Sequence, residues 1–453
     1  METAMSQAQT MTPRKRRRAA RLTLLTALLC AGASAPRAAQ AAAFSIYEQS
    51  AAGTALAGAM TARADDASTI FYNPAGLGFL PGLSVLAGAT LITAQPQAQT
   101  ADGTSYDGKR GNFILPSLFA AARVHDRISV GVGAFASHGL GVDWQVDGGA
   151  PFPGRFKVQR ASLQTFTINP TVAIRILPMI SLAAGLDVVR GSVELKRALA
   201  LGQDEAAVDL AAGTTALGGN VGIQVSLLPG RLSAGFSYRS QVKLAFDGGT
   251  VGYTPPPGVA GAFPYTKGGA ELEMPHTFAF GAAARVAFLS ISADLNATQW
   301  TSTRDLTLTL TSEDGTLKQT SVTPRAWHET IAVRVGVEAD LSQFAPKRLV
   351  PKVRLGFAYD QTPIPSNTLD PSLPDGDRLI GSVGLALGYR GVGGIELGYM
   401  AVFPETRTST NADLPLRYST SAHVASASLV LQLDNLLGRR SHAFSRGLLS
   451  AAP

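Results

Sequence analysis

Cysteine is nearly absent from this chain: Cys30 is the only one in 453 residues. A single thiol excludes a disulfide scaffold and a cysteine-held metal site. Charge is scarce as well, with Asp, Glu, Lys and Arg at 16% against about 25% in an ordinary soluble protein. Long apolar runs are also missing, for beyond residue 41 nothing approaches the ~18 consecutive apolar residues of a membrane helix. Catalytic signatures such as G-x-S-x-G, H-E-x-x-H and the P-loop do not occur. These absences argue against a typical soluble enzyme and against a helical membrane protein, and they call for neither cofactor nor metal.

What charge there is sits unevenly. Residues 1–41 hold seven Lys/Arg and one Glu, so +6 of the chain's net +7 lies there. That segment has a basic stretch from Arg14 to Arg21, an apolar stretch from Leu22 to Ala33, and an A-x-A site at Ala39-Gln40-Ala41, the layout of a secretory signal cleaved near Ala41. Cys30 would leave with it. The remaining chain is almost neutral, which gives no footprint for nucleic acid.

From Leu83 onward the sequence alternates with period two. In "TIAVRVGVEAD", Ile331, Val333, Val335 and Val337 fall on one face, and Ala332, Arg334, Gly336 and Glu338 on the other. Fourteen such strands can be placed between residues 83 and 433, most at or beyond the ~9–11 residues of a tilted membrane-spanning strand. Short connections, "VHDR", "ILPM", "LPGR" and "RGVG", follow the second, fourth, sixth and twelfth strands, and long ones follow the odd-numbered strands. The expected fold is all-β: a closed, transmembrane, antiparallel barrel of 14 strands with short periplasmic turns and long outer loops. Closure satisfies every backbone group in lipid, and an even strand count returns both ends to the periplasm.

A barrel this wide leaves a lumen that side chains alone do not fill. Residues 42–82 precede the first strand and lack the alternation. Their Ala/Gly-rich composition suits a plug, and in "FYNPAGL" Asn73 suits a helix N-cap with Pro74 at the first helical position. The sequence thus divides into a signal peptide (1–41), an N-terminal hatch (42–82), the barrel (83–433) and a C-terminal tail (434–453).

The block "DDASTIFYNPAGL" resembles the hatch of the FadL-type family of long-chain fatty-acid and toluene (TodX-like) outer-membrane transporters, which carries an Asn-Pro-Ala element at this place. "INPTVAIRI" with "SLAAGLDVV", "SAGFSYRSQVKLAFDG", "MPHTFAFGAAAR" and "GFAYDQTPIPSNTLDPSLPDGDRLIGSVGLALGYR" resemble it in the same order, from about Ala42 to Leu433. The resemblance implies passive uptake of hydrophobic molecules: capture by outer loops, passage to an inner pocket, rearrangement of the hatch, and sideways exit at a kinked third strand. It implies hatch or gating roles for Phe44, Asn73, Pro74 and Ala75. Family members usually end on the last strand with an aromatic used in barrel assembly, whereas twenty residues follow Leu433 here, with Phe444 among them.

Gly131, Gly133 and Gly139 in the third strand suit a break in the wall, or simply packing beside the hatch. Leu140, Val142, Trp144, Phe152 and Phe156 in the following loop could form an apolar capture patch or pack the loops together. Arg160, Arg175, Arg239, Lys243 and Arg334 are candidates for a cargo carboxylate; the competing reading is a self-neutralising network with Asp294, Glu338, Asp340, Asp360 and Glu396. His423 and Ser426 are three apart and fall on opposite strand faces, so they form no hydrolytic dyad. Expected partners are a hydrophobic small molecule, outer-membrane lipid and lipopolysaccharide, and the barrel-assembly machinery, with the protein a monomer. The competing function is a structural or adhesive surface barrel, with a barrel lipid hydrolase behind it.

Overall fold

The computed structural model describes residues 43–144, 151–256 and 263–433. The signal segment with Cys30 and Ala41, and the tail with Phe444, lie outside the described residues. No helix among the described residues is long and apolar enough to cross a membrane.

The strands, each antiparallel to the next, are β1 (Leu83–Gln99), β2 (Gly111–Arg123) and β3, which comes in two pieces (Ile128–Phe135 and Gly139–Asp143). β4 (Arg160–Leu177), β5 (Ile180–Leu201) and β6 (Asp204–Leu228) follow as long hairpins. β7 (Leu232–Arg239, Val242–Thr254), β8 (Tyr265–Met274, His276–Val286), β9 (Leu289–Gln299, Asp305–Ser312) and β10 (Lys318–Pro324, Thr330–Asp340) are each interrupted once. β11 (Leu349–Asp360), β12 (Arg378–Tyr389), β13 (Gly393–Pro404) and β14 (Arg417–Gln432) complete the wall. β14 pairs with β1 from Ser84↔Gln432 to Gln99↔Arg417, which closes a 14-stranded barrel with no free edge at the seam.

The alternation is a lipid pattern. Ile331, Val333 and Val335 are 47%, 46% and 38% exposed, while Arg334 and Glu338 between and beyond them are buried. Leu355 and Phe357 on β11, Val383 and Leu385 on β12, and Ile395 and Leu397 on β13 continue the same outward band. In water such a band would be an aggregation liability; against hydrocarbon it is the low-energy surface.

Several segments read as outer loops are strands. Residues 198–216 are not a loop: β5 and β6 run on to a tight turn, with Gly202 at φ +69°. These upper extensions turn their apolar residues inward. Leu244 and Phe246 of β7 are fully buried there, in a cluster with Trp144, Phe152, Trp300, Trp327 and Tyr418 that caps the barrel from outside.

The hatch fills the lumen. Helix α1 (Ala51–Ala55) is capped by Ser50, whose Oγ accepts from the Gly53 N–H at 3.1 Å. Helix α2 (Thr69–Tyr72) leads into a 3₁₀ helix, Pro74–Phe79, with Pro74 at its first turn. The wall opposite is built to let backbone come close: a Cβ at Gly384 would collide with the Ala55 Cβ, and one at Gly222 with the Asn73 Oδ1.

Candidate functional site

Asn73 is the most heavily bonded side chain of the hatch. Its Oδ1 accepts from the Ala75 N–H at 3.2 Å, capping the 3₁₀ helix. Its Nδ2 lies 2.9 Å from the Thr61 carbonyl, 3.0 Å from the Ile223 carbonyl and 2.8 Å from the Gln224 Oε1. It therefore ties two parts of the hatch to each other and both to β6. Pro74 and Ala75 are buried against the wall.

Charge in the lumen is paired across wall and hatch. Arg334 donates to Asp360 at 2.9 Å and to the Ala57 carbonyl of the hatch at 3.0 Å, and Arg378 reaches the same Asp360 at 3.2 Å. Glu338 accepts from Arg354 at 2.7 Å, Lys352 at 3.2 Å and the hatch's Arg63 at 3.1 Å. Arg354 also reaches Glu396 at 2.9 Å. Asp294 accepts from the Met60 and Thr61 N–H groups at 2.9 and 2.8 Å, whereas Asp340 accepts from the Ser342 N–H at the strand end. Arg239 pairs with Asp187 and donates to the Phe71 carbonyl. Arg175 lies over the Phe79 ring. Asp187, Arg354 and Arg378 carry only their inward strand parity as a sequence signal, and Arg63, in the irregular hatch, carries none.

Two cation assignments are corrected. Arg160 faces outward and pairs with Glu194 at 3.8 Å; the inward residues of β4 are Ala161, Leu163 and Thr165. Lys243 also faces outward, 2.7 Å from Glu271. The interruption at Ser240-Gln241 resets the parity of β7, so that Arg239 and Val242 both point inward and Lys243 is turned away.

Among the described residues the wall parts at β3. β2 and β3 are paired from Arg123↔Ser129 to Leu118↔Ala134, and above that level Gly111–Ser117 pairs only with β1. The second piece of β3 pairs with β4, from Gly139↔Gln164 to Asp143↔Arg160. The break between the two pieces is occupied by the start of the hatch. The Ile46 N–H donates to the Ser137 carbonyl at 2.9 Å, the Gly139 N–H to the Phe44 carbonyl at 2.8 Å, and the Gln49 Nε2 to the Ala136 carbonyl at 2.7 Å. Phe44 packs edge-on against Trp300 with ring centroids 4.9 Å apart, and it also lies beside His138. Gly139 stands at this break. Gly131 and Gly133 do not: they lie in the regular part of the strand, where an added Cβ would meet Ile70 and Phe119.

A cavity of about 440 Å³ starts beside residues 45–48 and runs through this break to the outer face. Its luminal side carries Ile380, Val402 and Val424 with the charged Glu48, Arg334, Asp360 and Arg378; its far side reaches Ile114 and Phe166, both exposed on the lipid face. The Arg378 Nε has no hydrogen-bond partner among the described residues. Of the loop residues, Leu140 lines the cavity. Trp144 and Phe152 are stacked 4.6 Å apart inside the outer cap, with Val142 buried beside them, and Phe156 lies exposed under Arg155. Most of the expected patch therefore packs loops together.

One titratable group outside the wall touches the start of the hatch. Asp375, in the segment between β11 and β12, accepts from the Ala43 N–H at 3.0 Å and the Thr362 hydroxyl at 2.6 Å. Burial pushes its carboxyl up to about 7, with Arg378 opposing. Ser426 is inward and bonded to Thr54 at 2.7 Å, and His423 is outward and bonded to Tyr399 at 2.8 Å, so the two form no dyad.

The family described as outer membrane protein transport protein (OMPP1/FadL/TodX) matches residues 32–431. The chain is 25% identical over 381 residues to the long-chain fatty acid transport protein of Escherichia coli O6:H1, covering 74% of this chain and 80% of that one. A shorter stretch of 132 residues, 28% of the relative's length, is 30% identical to an outer membrane protein of Neisseria meningitidis serogroup B. Among solved structures, a Pseudomonas aeruginosa FadL homologue superposes with TM-score 0.74 at 20% identity, over 86% of this chain and all of that one. The P. putida toluene transporter TodX does so with TM-score 0.69 at 19% identity, over 84% and 98%.

Proposed function

The chain belongs to the outer membrane transport protein family (OMPP1/FadL/TodX), and on that premise we propose that it admits long-chain fatty acids or aromatic hydrocarbons from outside the cell by passive diffusion. The protein is an outer-membrane β-barrel of a Gram-negative bacterium, and its relatives are transporters. The observation that carries the proposal is the cavity that leaves the lumen through the β3 break while the hatch blocks the way straight down.

Transfer of apolar cargo out of water stabilises it by roughly 25 cal/mol per Å², so entry needs no energy source. The cargo is held by the outer loops, enters the cavity beside Ile46 and Ile380, and leaves sideways into the outer leaflet. Phe44, Ile46 and Gln49 occupy the break, so their displacement is the gating step, with Asn73, Pro74 and Ala75 anchoring the rest of the hatch. On the luminal side of the cavity Arg334 and Arg378 are balanced by Glu48 and Asp360. A hydrocarbon therefore needs no counter-ion there, and a fatty acid's carboxylate would meet the Arg334 and Arg378 guanidiniums that line the cavity. Lipid and lipopolysaccharide surround the outward band, the barrel-assembly machinery inserts the chain, and the protein works as a monomer.

Uptake of labelled oleate and of toluene, in cells lacking and cells expressing the protein, tests this reading. Faster uptake of either on expression is expected. Uptake of neither returns the choice to an adhesive barrel.

A further inference from the structure

We propose that Phe113 is an aromatic shutter across the side window of the barrel and sets the width of cargo that leaves through it. The inference deepens the transport reading above and rests on it. The window is bounded below by the pair Leu118↔Ala134 and above by the hydrogen bond from the Lys109 N–H to the Asp143 carbonyl at 2.8 Å. Its sides are the Gly111–Ser117 edge of β2 and residues 136–142, and its height is on the order of 20 Å at 3.3 Å per strand residue.

Within that frame Ile114 and Pro116 point to lipid, and Phe113, of opposite parity, does not. Its ring crosses the gap: a Cβ at Gly141, on the far side, would collide with the Phe113 Cζ and stand 2.5 Å from its Cε1. A Cβ at Gly111, on the near side, would stand 2.5 Å from its Cε2. Both positions must therefore lack a side chain for the ring to lie where it does. Among the described residues no strand hydrogen bond crosses the gap at this level, so moving the ring breaks van der Waals contacts and no backbone ladder. A side chain with two χ angles can swing between rotamers without moving the wall. Phe113, Gly139 and Gly141 all line the cavity, so cargo in it meets the ring before it meets lipid.

The test uses the full chain in proteoliposomes, with toluene as a narrow probe and a pyrene-labelled fatty acid as a wide one. Phe113→Ala is expected to raise initial uptake of the wide probe by roughly three- to ten-fold, the factor of a modestly lowered barrier, and to change toluene much less. Phe113→Trp is expected to slow the wide probe. Unchanged uptake of both probes in both variants, with the wild type transporting, overturns the shutter and leaves the transport reading standing. A wild type that moves neither probe sinks the transport reading instead. Placement is read independently of transport. In a Cys30→Ser background, Phe113→Cys should react with a bilayer-dissolved maleimide while Val402→Cys, on the luminal side, does not; a Phe113→Cys variant whose thiol is unreactive from lipid overturns the proposal by itself. Heat-modifiable migration on gels confirms that each variant is a folded barrel.

Discussion

Replacing Asn73 by Leu removes one polar side chain of nearly the same size from the point where hatch meets wall. Asn73 is fully buried, so no water replaces what it loses. Its two Nδ2 protons serve the Thr61 and Ile223 carbonyls and the Gln224 Oε1, and its Oδ1 caps Ala75. At about 1 kcal/mol per hydrogen bond and about 1–3 kcal/mol for a buried acceptor left bare, the change should weaken hatch docking by roughly 3–5 kcal/mol. That multiplies the undocked population by about two to three and a half orders of magnitude, at about 1.4 kcal/mol per factor of ten. Hydrogen exchange over residues 59–80 reads the docking directly, and uptake reads its consequence. Exchange should accelerate while the barrel strands keep their protection, and deletion of Asn73–Ala75 should likewise alter uptake without preventing insertion. Hatch protection and uptake both unchanged in Asn73→Leu would refute the reasoning, because no other side chain among the described residues joins Thr61, Ala75 and β6 in this way.

Glu338→Gln leaves Arg63, Arg354 and Lys352 facing an uncharged group. It should destabilise the folded barrel or its hatch by about 3–5 kcal/mol, visible as a lowered unfolding midpoint in detergent. Val335→Arg puts a charge on the lipid face and should lower bilayer-folding stability by about 2–4 kcal/mol if it sits near the midplane, measured by urea titration in vesicles. Burial holds Asp375 up to about 7, above its ordinary value near ~3.9, so the docked segment favours the protonated form. Its contribution to docking is complete below about pH 4 and is lost as pH rises towards 7. Once the intrinsic pH dependence of amide exchange is divided out, protection of residues 361–377 should therefore be lower at pH 7.5 than at pH 5, and Asp375→Asn should abolish that difference in protection.

The lipid-facing band was legible because membrane strands obey a strict period of two: Ile331, Val333 and Val335 could only share a face. The plug was legible because residues 42–82 break that period where the lumen needs filling, and Asn73-Pro74 announces a short helix. Parity, however, carries no memory across an interruption. Leu232 to Tyr238 and Val242 to Phe246 all occupy even positions and read as one face, yet the irregularity at Ser240-Gln241 turns the second set inward. Lys243 was misplaced for that reason. The upper parts of β5 and β6 escaped notice because "AAVDLAAGTTALG" lacks contrast between its faces. Above the membrane neither face meets hydrocarbon, and the hairpin is held by its strand pairing and by Val208 and Leu210 packed inward against Val251 of β7. Glycine marks where space is needed and not what uses it: Gly131 and Gly133 serve hatch packing, Gly139 the break, and Gly141 the Phe113 ring. Gly141 and Phe113 lie 28 residues apart and are joined only by how β2 and β3 part.

Photocrosslinking in outer-membrane vesicles, with a fatty acid carrying a diazirine along its chain, discriminates sideways exit from passage down the barrel axis. Sideways exit predicts labelled peptides around Ile46, His138 and Asn112–Pro116, with none from the charged basin at the opposite end, where Arg231, Arg285 and Tyr389 lie. Labelling of that basin, with residues 112–116 unlabelled, would contradict it.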